Sequence, residues 1–364
     1  NWQVGDVSIS LDSTFTLATS IRTEARDYSL IGNSNQPQFD WSGYHAAFNP
    51  IYPSADVWAL ADGGYSTNGD LGNLAHDPGD AFATQISGSH ELDVNFGDYG
   101  FFARGFWFYD FEQMDGDRPY SNPITGNQYD LCQDPEAEDL LCTDVRLYDA
   151  FFYGDWWIGD KPLTLRVGRQ VISWGESTFI QHSLSEANAV DLRTLRNPGA
   201  ELKEAFIPSS MLWASIDLSE SWSAQAFYQF EWEPVRTDEP GTYFATRDFL
   251  GLKGSEVHLG FAQFPEGQPG TVAIRRDTRE ADDNGQYGMK LGYFTEGGTE
   301  WGFYYMNYHN RRPIISANAA DNTGTVYGFL EYPEDIQMGG VSFNTATDSG
   351  LSILCEMSYR KDEP

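Results

Sequence analysis

The sequence has 364 residues, and its 54 acidic against 22 basic side chains give a formal net charge of −32. A nucleic-acid partner is excluded, because phosphates are neutralised by Lys and Arg. No window approaches the roughly 18 consecutive apolar residues that a membrane-spanning helix needs, which excludes a helical inner-membrane bundle. Aromatic residues make up 15% of a chain that is polar on average. That combination is typical of strands with one lipid face and one wet face, although an aromatic-rich β-sandwich enzyme also fits these figures.

The first predicted element is a long strand over 7–21, in which odd positions such as Phe15 and Leu17 are mostly apolar and even positions such as Asp12 are polar or small. Successive side chains of a strand point to opposite faces, so one face is apolar and the other wet. Fifteen residues greatly exceed the usual strand of about 5–6. The same alternation predicts further strands at about 82–96, 101–112, 144–157, 163–173, 209–218, 222–232, 284–295, 299–309, 334–344 and 351–360.

These segments amount to about eleven strands, and short turns between them alternate with long connections at about 23–79, 113–143, 174–208, 234–283 and 310–333. Such alternation is typical of an outer-membrane barrel with short periplasmic turns and long outer loops. We therefore predict a single all-β domain over 1–364, a transmembrane antiparallel β-barrel. Bacterial barrels have even strand numbers, so the odd count predicts a chain that is incomplete at its C-terminus.

The strand at 163–173 carries the first candidate pore residues. Arg166 and Gln170 share the face opposite Leu163, Leu165 and Val167, and we expect them to line the lumen. Arg169 lies on the apolar side and is expected at the membrane interface or in an inward curve.

The connection 174–208 is a candidate constriction. Ser185 and the following residues to Leu192 predict a short capped helix that ends at Asn197, and a helical loop after a barrel strand can fold inward. Its charges are of both signs and would form a polar eyelet, together with Glu231 on the wet side of 222–232; the alternative is a surface loop with solvated charges. The candidates besides Arg166 and Gln170 are Glu176, Arg193, Arg196, Glu201, Lys203, Glu204 and Glu231.

Two cysteines flank an acidic stretch. Cys132 and Cys142 are expected to form a disulfide in an oxidising compartment, with two free thiols as the alternative; Cys355 lies in a strand and is expected to act as a small hydrophobe. No metal or cofactor is predicted. The segment 62–80 has oxygen ligands that suit calcium, but it lacks the spacing of a dedicated calcium loop.

Catalysis has little support in the sequence. His182 and Ser183 suggest an outer-membrane esterase, but neighbouring residues of a strand face opposite ways and no GxSxG motif accompanies a serine. We therefore expect no enzymatic activity.

Three runs carry a resemblance to a known family: LRVGRQVISWGESTFIQ, RNPGAELKEAFIPSSM and AFYQFEWEPVRTDEPGTYFAT. They resemble the outer-membrane family catalogued as domain of unknown function 1302, and the likeness extends from Gly5 to Arg360. Members are longer than this chain and tend to accompany an exporter of the resistance-nodulation-division superfamily and a periplasmic lipid-carrier-like protein. The resemblance thus implies the outer-membrane element of a route for hydrophobic molecules or lipids, and it transfers no catalytic residue.

Two main hypotheses follow. The first is a barrel in the bacterial outer membrane, surrounded by lipid and lipopolysaccharide, whose lumen passes an amphipathic molecule. The second is a structural or adhesive barrel that displays acidic loops. The esterase remains a third.

Overall fold

The structure is a computed structural model that describes residues 1–27, 30, 72–116, 120–121, 128–129, 132, 135–176, 183–245, 249–252, 254, 256–258, 272–322 and 324–364. Its strands are β1 (Trp2–Val4), β2 (Val7–Ile21), β3 (Ala81–Asn95), β4 (Tyr99–Asp110), β5 (Tyr120–Ser121), β6 (Gln128–Tyr129), β7 (Thr143–Ile158), β8 (Lys161–Gln170), β9 (Ala189–Val190), β10 (Phe206–Ile207), β11 (Ser209–Asp217), β12 (Trp222–Gln229), β13 (Glu256–His258), β14 (Val272–Arg275), β15 (Tyr287–Phe294), β16 (Glu300–Tyr308), β17 (Ile314–Asn318), β18 (Val326–Glu331), β19 (Ile336–Ala346) and β20 (Ser352–Lys361). Its helices are α1 (Gly72–Ala75), α2 (Phe111–Asp115), α3 (Pro135–Leu141), α4 (Leu192–Arg196) and α5 (Leu202–Ala205).

The main feature is a 12-stranded sheet in the order β1-β2-β3-β4-β7-β8-β11-β12-β15-β16-β19-β20. Neighbouring strands along it run antiparallel, from β2 with β3 to β19 with β20. Apart from the short β1, its members are the eleven strands that the alternation predicts. Within the described residues β20 pairs only with β19, so the sheet is not closed into a ring.

The two faces of this sheet differ as the sequence predicts. On β2, Phe15 and Leu17 are 67% and 72% exposed, and Val145 of β7 and Met357 of β20 reach 83% and 69%. On the other face, alternate residues such as Ser87 are buried. An exposed apolar face over so large a sheet suits contact with hydrocarbon rather than water. We call it the outer face and the opposite one the inner face.

Short turns and long connections alternate along the chain, as expected. Ile158 pairs with Lys161 across a two-residue turn, Gly159-Asp160, in which Gly159 has a φ of 69° that favours glycine. The long connections all emerge at the other end of the sheet. There, β13, β14, β18 and β17 form a separate four-stranded sheet, in which β14 and β18 are parallel. No helix of the described part is long and apolar enough to cross a membrane.

Candidate functional site

The connection between β8 and β11, residues 171–208, is called the insert here, and its described parts lie against the inner face. Its described parts are 171–176 and 183–208. Trp174 and Leu184 join the largest buried apolar cluster, with residues of β11, β12, β16 and β19. The Trp174 ring centroid lies 5.0 Å from that of Phe227 and 5.8 Å from that of Tyr304. The predicted inward-folded segment is therefore packed on the sheet rather than exposed as a surface loop.

One end of the insert is fixed to β20. A carboxylate oxygen of Glu356 accepts a hydrogen bond from Glu176 N at 2.7 Å, and its other oxygen accepts one from Leu184 N at 3.4 Å. Arg360 donates to Ser183 O at 2.8 Å. These bonds hold the start of the insert beside the last strand of the sheet.

The other end of the insert reaches the strands at the opposite edge. Lys203 Nζ lies 2.8 Å from Glu91 of β3, and Tyr148 of β7 donates its hydroxyl hydrogen to Glu204 O at 2.8 Å. Gly199 has a φ of 77°, and a Cβ on it would lie 2.6 Å from Thr16 Cγ2 of β2. Since this single connection touches β2, β3 and β20 on the same face, the sheet curves around it.

Asp191 is the electrostatic centre of the insert. It is 1% exposed and lies 2.8 Å from Arg193, 3.6 Å from Arg146 of β7 and 4.0 Å from Arg236. Burial opposes ionisation, but the three arginines, Arg193 foremost, hold the pKa of the Asp191 carboxyl below its usual range. The same side chain caps α4 by accepting from Arg193 N and Thr194 N.

A second buried charge, Arg311, joins the insert to the connection after β16. Its guanidinium is 1% exposed and donates to Glu186 O, Ala187 O and Glu233 O at 3.0, 2.9 and 2.8 Å. It also donates to the side-chain oxygens of Gln229 and Gln286. Burial lowers its pKa to about 10, so Arg311 remains charged at neutral pH and its cost of burial is offset by five acceptors.

The strand residues predicted to line the lumen have different surroundings. Arg166 does face inward, with its guanidinium 4.8 Å from the Trp213 ring centroid and 5.5 Å from that of Phe151. Gln170 is on the same face but only 2% exposed, and it donates to Met211 O at 3.3 Å. Gln170 thus lies beneath the insert and not beside open solvent.

Glu231 lies beyond the end of its strand, and its place in the pore stays a prediction. β12 ends at Gln229, so the alternation stops before position 231. The Glu231 carboxylate instead lies 2.5 Å from Arg169 Nη1 and accepts from Ser210 Oγ at 2.7 Å. Arg169 also pairs with Glu233 at 2.9 Å. The other oxygen of Glu233 lies 3.6 Å from Arg236, which in turn contacts Asp191 of the insert.

The two arginines of α4 have separate partners. Arg193 is buried, 4% exposed, and paired with Asp191 at 2.8 Å; its role in a constriction stays a prediction. Arg196 is half-exposed and pairs with Asp238, with its guanidinium 5.5 Å from the Phe244 ring centroid.

The remaining candidates lie near the two ends of the insert. Glu201 and Glu91 both contact Lys203, the former at 3.1 Å. Glu204 accepts from Glu201 N at 3.1 Å, and burial raises the pKa of its carboxyl. Burial also raises the pKa of Glu176, with the carboxylates of Glu300 and Glu356 acting in the same direction. Glu201 and Lys203 keep partial exposure on the inner face.

The predicted helix begins later than expected. Residues 185–191 are not helical, because Ala189 and Val190 pair with Ile207 and Phe206. The cap is Asp191 rather than Ser185, and α4 does end before Asn197, as predicted.

The structure joins Cys132 and Cys142 in a disulfide, at the end of α3 next to the start of β7. Cys142 is buried. Cys355 is a free, exposed thiol on the outer face.

The calcium and esterase candidates fall on other parts of the chain. Asp62 and Asp70 of the calcium segment lie outside the described residues, whereas Asp77 pairs with Arg26 at 3.0 Å. No group of three potential metal ligands occurs in the ranges described. His182 lies outside those ranges too, and Ser183 Oγ lies 3.1 Å from Ser185 Oγ; the esterase stays a prediction.

Sequence reasoning missed Arg311, Glu186 and the pairing of Arg104 with Asp149 at 2.7 Å. The pattern gives a weak signal for the last pair, because Arg104 shares the face of Phe106 and Phe108 in β4. No pattern identifies Arg311, because its partners lie in three separate segments.

The fold and the insert together define an all-β chain with a large antiparallel sheet, an apolar outer face and a segment packed on the inner face. A model of the family described as "Protein of unknown function (DUF1302)" matches residues 2–364. The chain therefore belongs to this family. No curated protein matches it. Among solved structures, the chain is similar to the siderophore receptor PirA from Pseudomonas aeruginosa, with a TM-score of 0.30 and 10% identity. That match covers 77% of this chain and 43% of the receptor, so the chain spans less than half of that protein.

Proposed function

We propose that this chain is part of a channel or exporter component in the outer membrane of a Gram-negative bacterium, with the insert as the gate of its lumen. The observation that carries the proposal is the contact of one insert with β2, β3 and β20 on the inner face. A segment enclosed in this way controls whatever passes along that face. The exposed apolar outer face supports placement among lipid and lipopolysaccharide.

The cargo proposed is a hydrophobic or amphipathic molecule, including lipids. The chain itself would contribute selective binding and permeation without catalysis or a cofactor. Energy would come from an inner-membrane exporter of the resistance-nodulation-division superfamily, with a periplasmic lipid-carrier-like protein between them. The second candidate is a structural or adhesive barrel; the 54 acidic residues of the chain are the observation that favours it.

The test compares two neighbouring cations of β20 in the full-length protein reconstituted in planar bilayers and liposomes. Arg360 faces inward and holds Ser183 O and the hydroxyl oxygen of Tyr308, the latter at 2.9 Å. Lys361 is exposed on the outer side. We expect Arg360→Met to raise conductance and the flux of an amphipathic dye severalfold, because it releases one end of the insert. Lys361→Met should match the wild type.

A barrel that stays silent in all three proteins, while its loops bind cells or surfaces, would replace the channel by the adhesive function. Equal effects of the two substitutions would remove the insert from the gating role.

A further inference from the structure

A cavity of about 630 Å³ lies at the end of the sheet from which the long connections emerge. It is formed by α3, α4, the segment after β12, the residues near 250 and the strands β14 and β18. Four guanidinium groups line it: those of Arg193, Arg236, Arg275 and Arg276. The chain has only 22 basic residues, so four arginines around one cavity in a strongly acidic protein require an explanation. We call this space the arginine cavity.

Two of these arginines have no carboxylate partner within ion-pair distance among the described residues. Arg275 donates to the carbonyl oxygens of Phe249 and Gly251 and to Thr278 Oγ1. Arg276 stacks on Tyr327, with its guanidinium carbon 3.6 Å from the ring centroid, and its guanidinium N–H groups make no hydrogen bond to a described residue. The stacking fixes a guanidinium plane while leaving its donors available, which is the arrangement that recognises carboxylates and phosphates.

The other two arginines already have carboxylate partners. Arg193 and Arg236 share the carboxylate of Asp191, and Arg193 Nη1 is buried without a hydrogen-bond partner in the described part of the chain. Three acidic residues, Glu239, Asp277 and Glu280, also line the space, so the groups that can bind an anion there are the donors of Arg275 and Arg276. One of these, Glu239, already accepts from Leu252 N at 3.0 Å.

The remaining wall is apolar. Leu250, Leu252 and Leu330 line the same space, together with Tyr332, whose ring centroid lies 4.6 Å from that of Trp232. Charged groups on one side and leucines on another match a molecule with an anionic head and a hydrocarbon part.

We propose that the arginine cavity binds an anionic amphiphile, with a phosphate or carboxylate head on Arg275 and Arg276 and an alkyl part against the leucines. The amphiphile comes either from the surrounding leaflet or from the aqueous side. The head group that the arginines bind has the same chemistry in both cases. Binding at this site does not require that the sheet conduct anything, so it stands apart from the channel function.

The experiment titrates n-octyl phosphate, below its micellar concentration, into the full-length protein in nanodiscs of zwitterionic lipid, followed by calorimetry. We expect Arg276→Gln to weaken binding by about tenfold, which corresponds to about 1.4 kcal/mol. The matched control is Arg279→Gln, which removes the same charge three positions further on. Arg279 is not among the residues lining the arginine cavity and lies 3.4 Å from Glu331. The Arg279→Gln variant should bind n-octyl phosphate with an affinity within twofold of that of the wild type.

A second variant keeps the test independent of Arg276. Leu252 is 54% exposed, and Leu252→Glu should also weaken binding because it places a carboxylate beside the bound anion. Octyl glucoside, with the same tail and a neutral head, should bind far more weakly.

Phosphatidylglycerol in the nanodisc will compete if the leaflet supplies the head group and will not compete if the aqueous side does, and either result supports the site. Absence of binding, equal loss in both arginine variants, or equal affinity for octyl glucoside would overturn it.

Discussion

At Asp191 a single carboxylate caps α4 and also serves as the counter-ion of three arginines from different parts of the chain. Removing one partner of a buried ion pair leaves uncompensated charge, which typically costs about 3–5 kcal/mol. We expect Asp191→Asn to destabilise the fold by that amount, because Asn keeps the cap but not the charge. Urea unfolding followed by tryptophan fluorescence measures the change. Asp217→Asn, at an exposed end of β11, is the matched control and should change stability by under about 0.5 kcal/mol.

The same residue predicts a dependence on pH. The pKa of Asp191 is lowered in the folded protein, so the unfolded chain binds a proton at a higher pH, near the ordinary value of about 4. The stabilisation is therefore complete at neutral pH and is lost as the pH falls through the folded pKa, below about 4. The stability difference between wild type and Asp191→Asn should shrink in that range. A difference that stays constant down to about pH 3 would show that the carboxylate is not the counter-ion.

Gly168 lies where β7 and β8 approach closely. Its φ is 132°, and a Cβ would lie 2.3 Å from Ala150 O, so neither the backbone nor the space accepts a side chain. We expect Gly168→Ala to destabilise the sheet by about 1–3 kcal/mol, measured by the same urea unfolding. At Gly339 of β19, a Cβ would have no neighbouring atom within 4 Å, and Gly339→Ala should be neutral. Similar losses in both variants would contradict a local clash.

At the scale of elements, the strands were predictable because each has two chemically different faces. β2 alternates over fifteen residues, and a slip of one residue would move its whole apolar set to the other face. Where a strand stops, this signal stops too, and the alternation therefore does not specify the side of Glu231, which follows the end of β12 at Gln229. The insert and the small sheet of β13, β14, β17 and β18 are specified by contacts between distant segments, which a local pattern does not reveal. The helix cap is an example: the local pattern predicts Ser185, whereas Asp191 caps α4 in the structure.

The disulfide links α3 to Cys132 across a short loop, with a sequence separation of 10. Closing a loop of that size stabilises a fold by about 2–3 kcal/mol through the unfolded chain. Cys132→Ser with Cys142→Ser should lose that stability and speed hydrogen exchange at 135–141, where Leu140 lines the arginine cavity. Cys355→Ser, which removes a free thiol, is the control. Unchanged exchange at 135–141 would show that α3 is held by packing alone.

At the scale of the whole molecule, β2 and β20 lie toward opposite ends of the 12-stranded sheet, and they are not paired with each other within the described residues. The insert contacts both regions, so it acts as an internal brace across the curved sheet. In the proposed gate, a path along the inner face opens when one end of this brace moves. The end at β3 is the weaker one, because its ion pair is partly exposed and such pairs contribute little, about 0–1 kcal/mol.

This weaker end can be tested by exchanging charges between Lys203 and Glu91. Lys203→Glu places three carboxylates together, those of Glu91, Glu201 and the new side chain, so repulsion should release the insert and raise conductance of the reconstituted protein. The double variant Lys203→Glu with Glu91→Lys restores an ion pair of opposite direction and should return conductance toward the wild type. Lys161→Glu makes the same charge change beside the Gly159-Asp160 turn, at the end of β8 opposite to the insert, and should leave conductance unaltered. If the double variant conducts like the single one, the Lys203–Glu91 contact does not hold the gate.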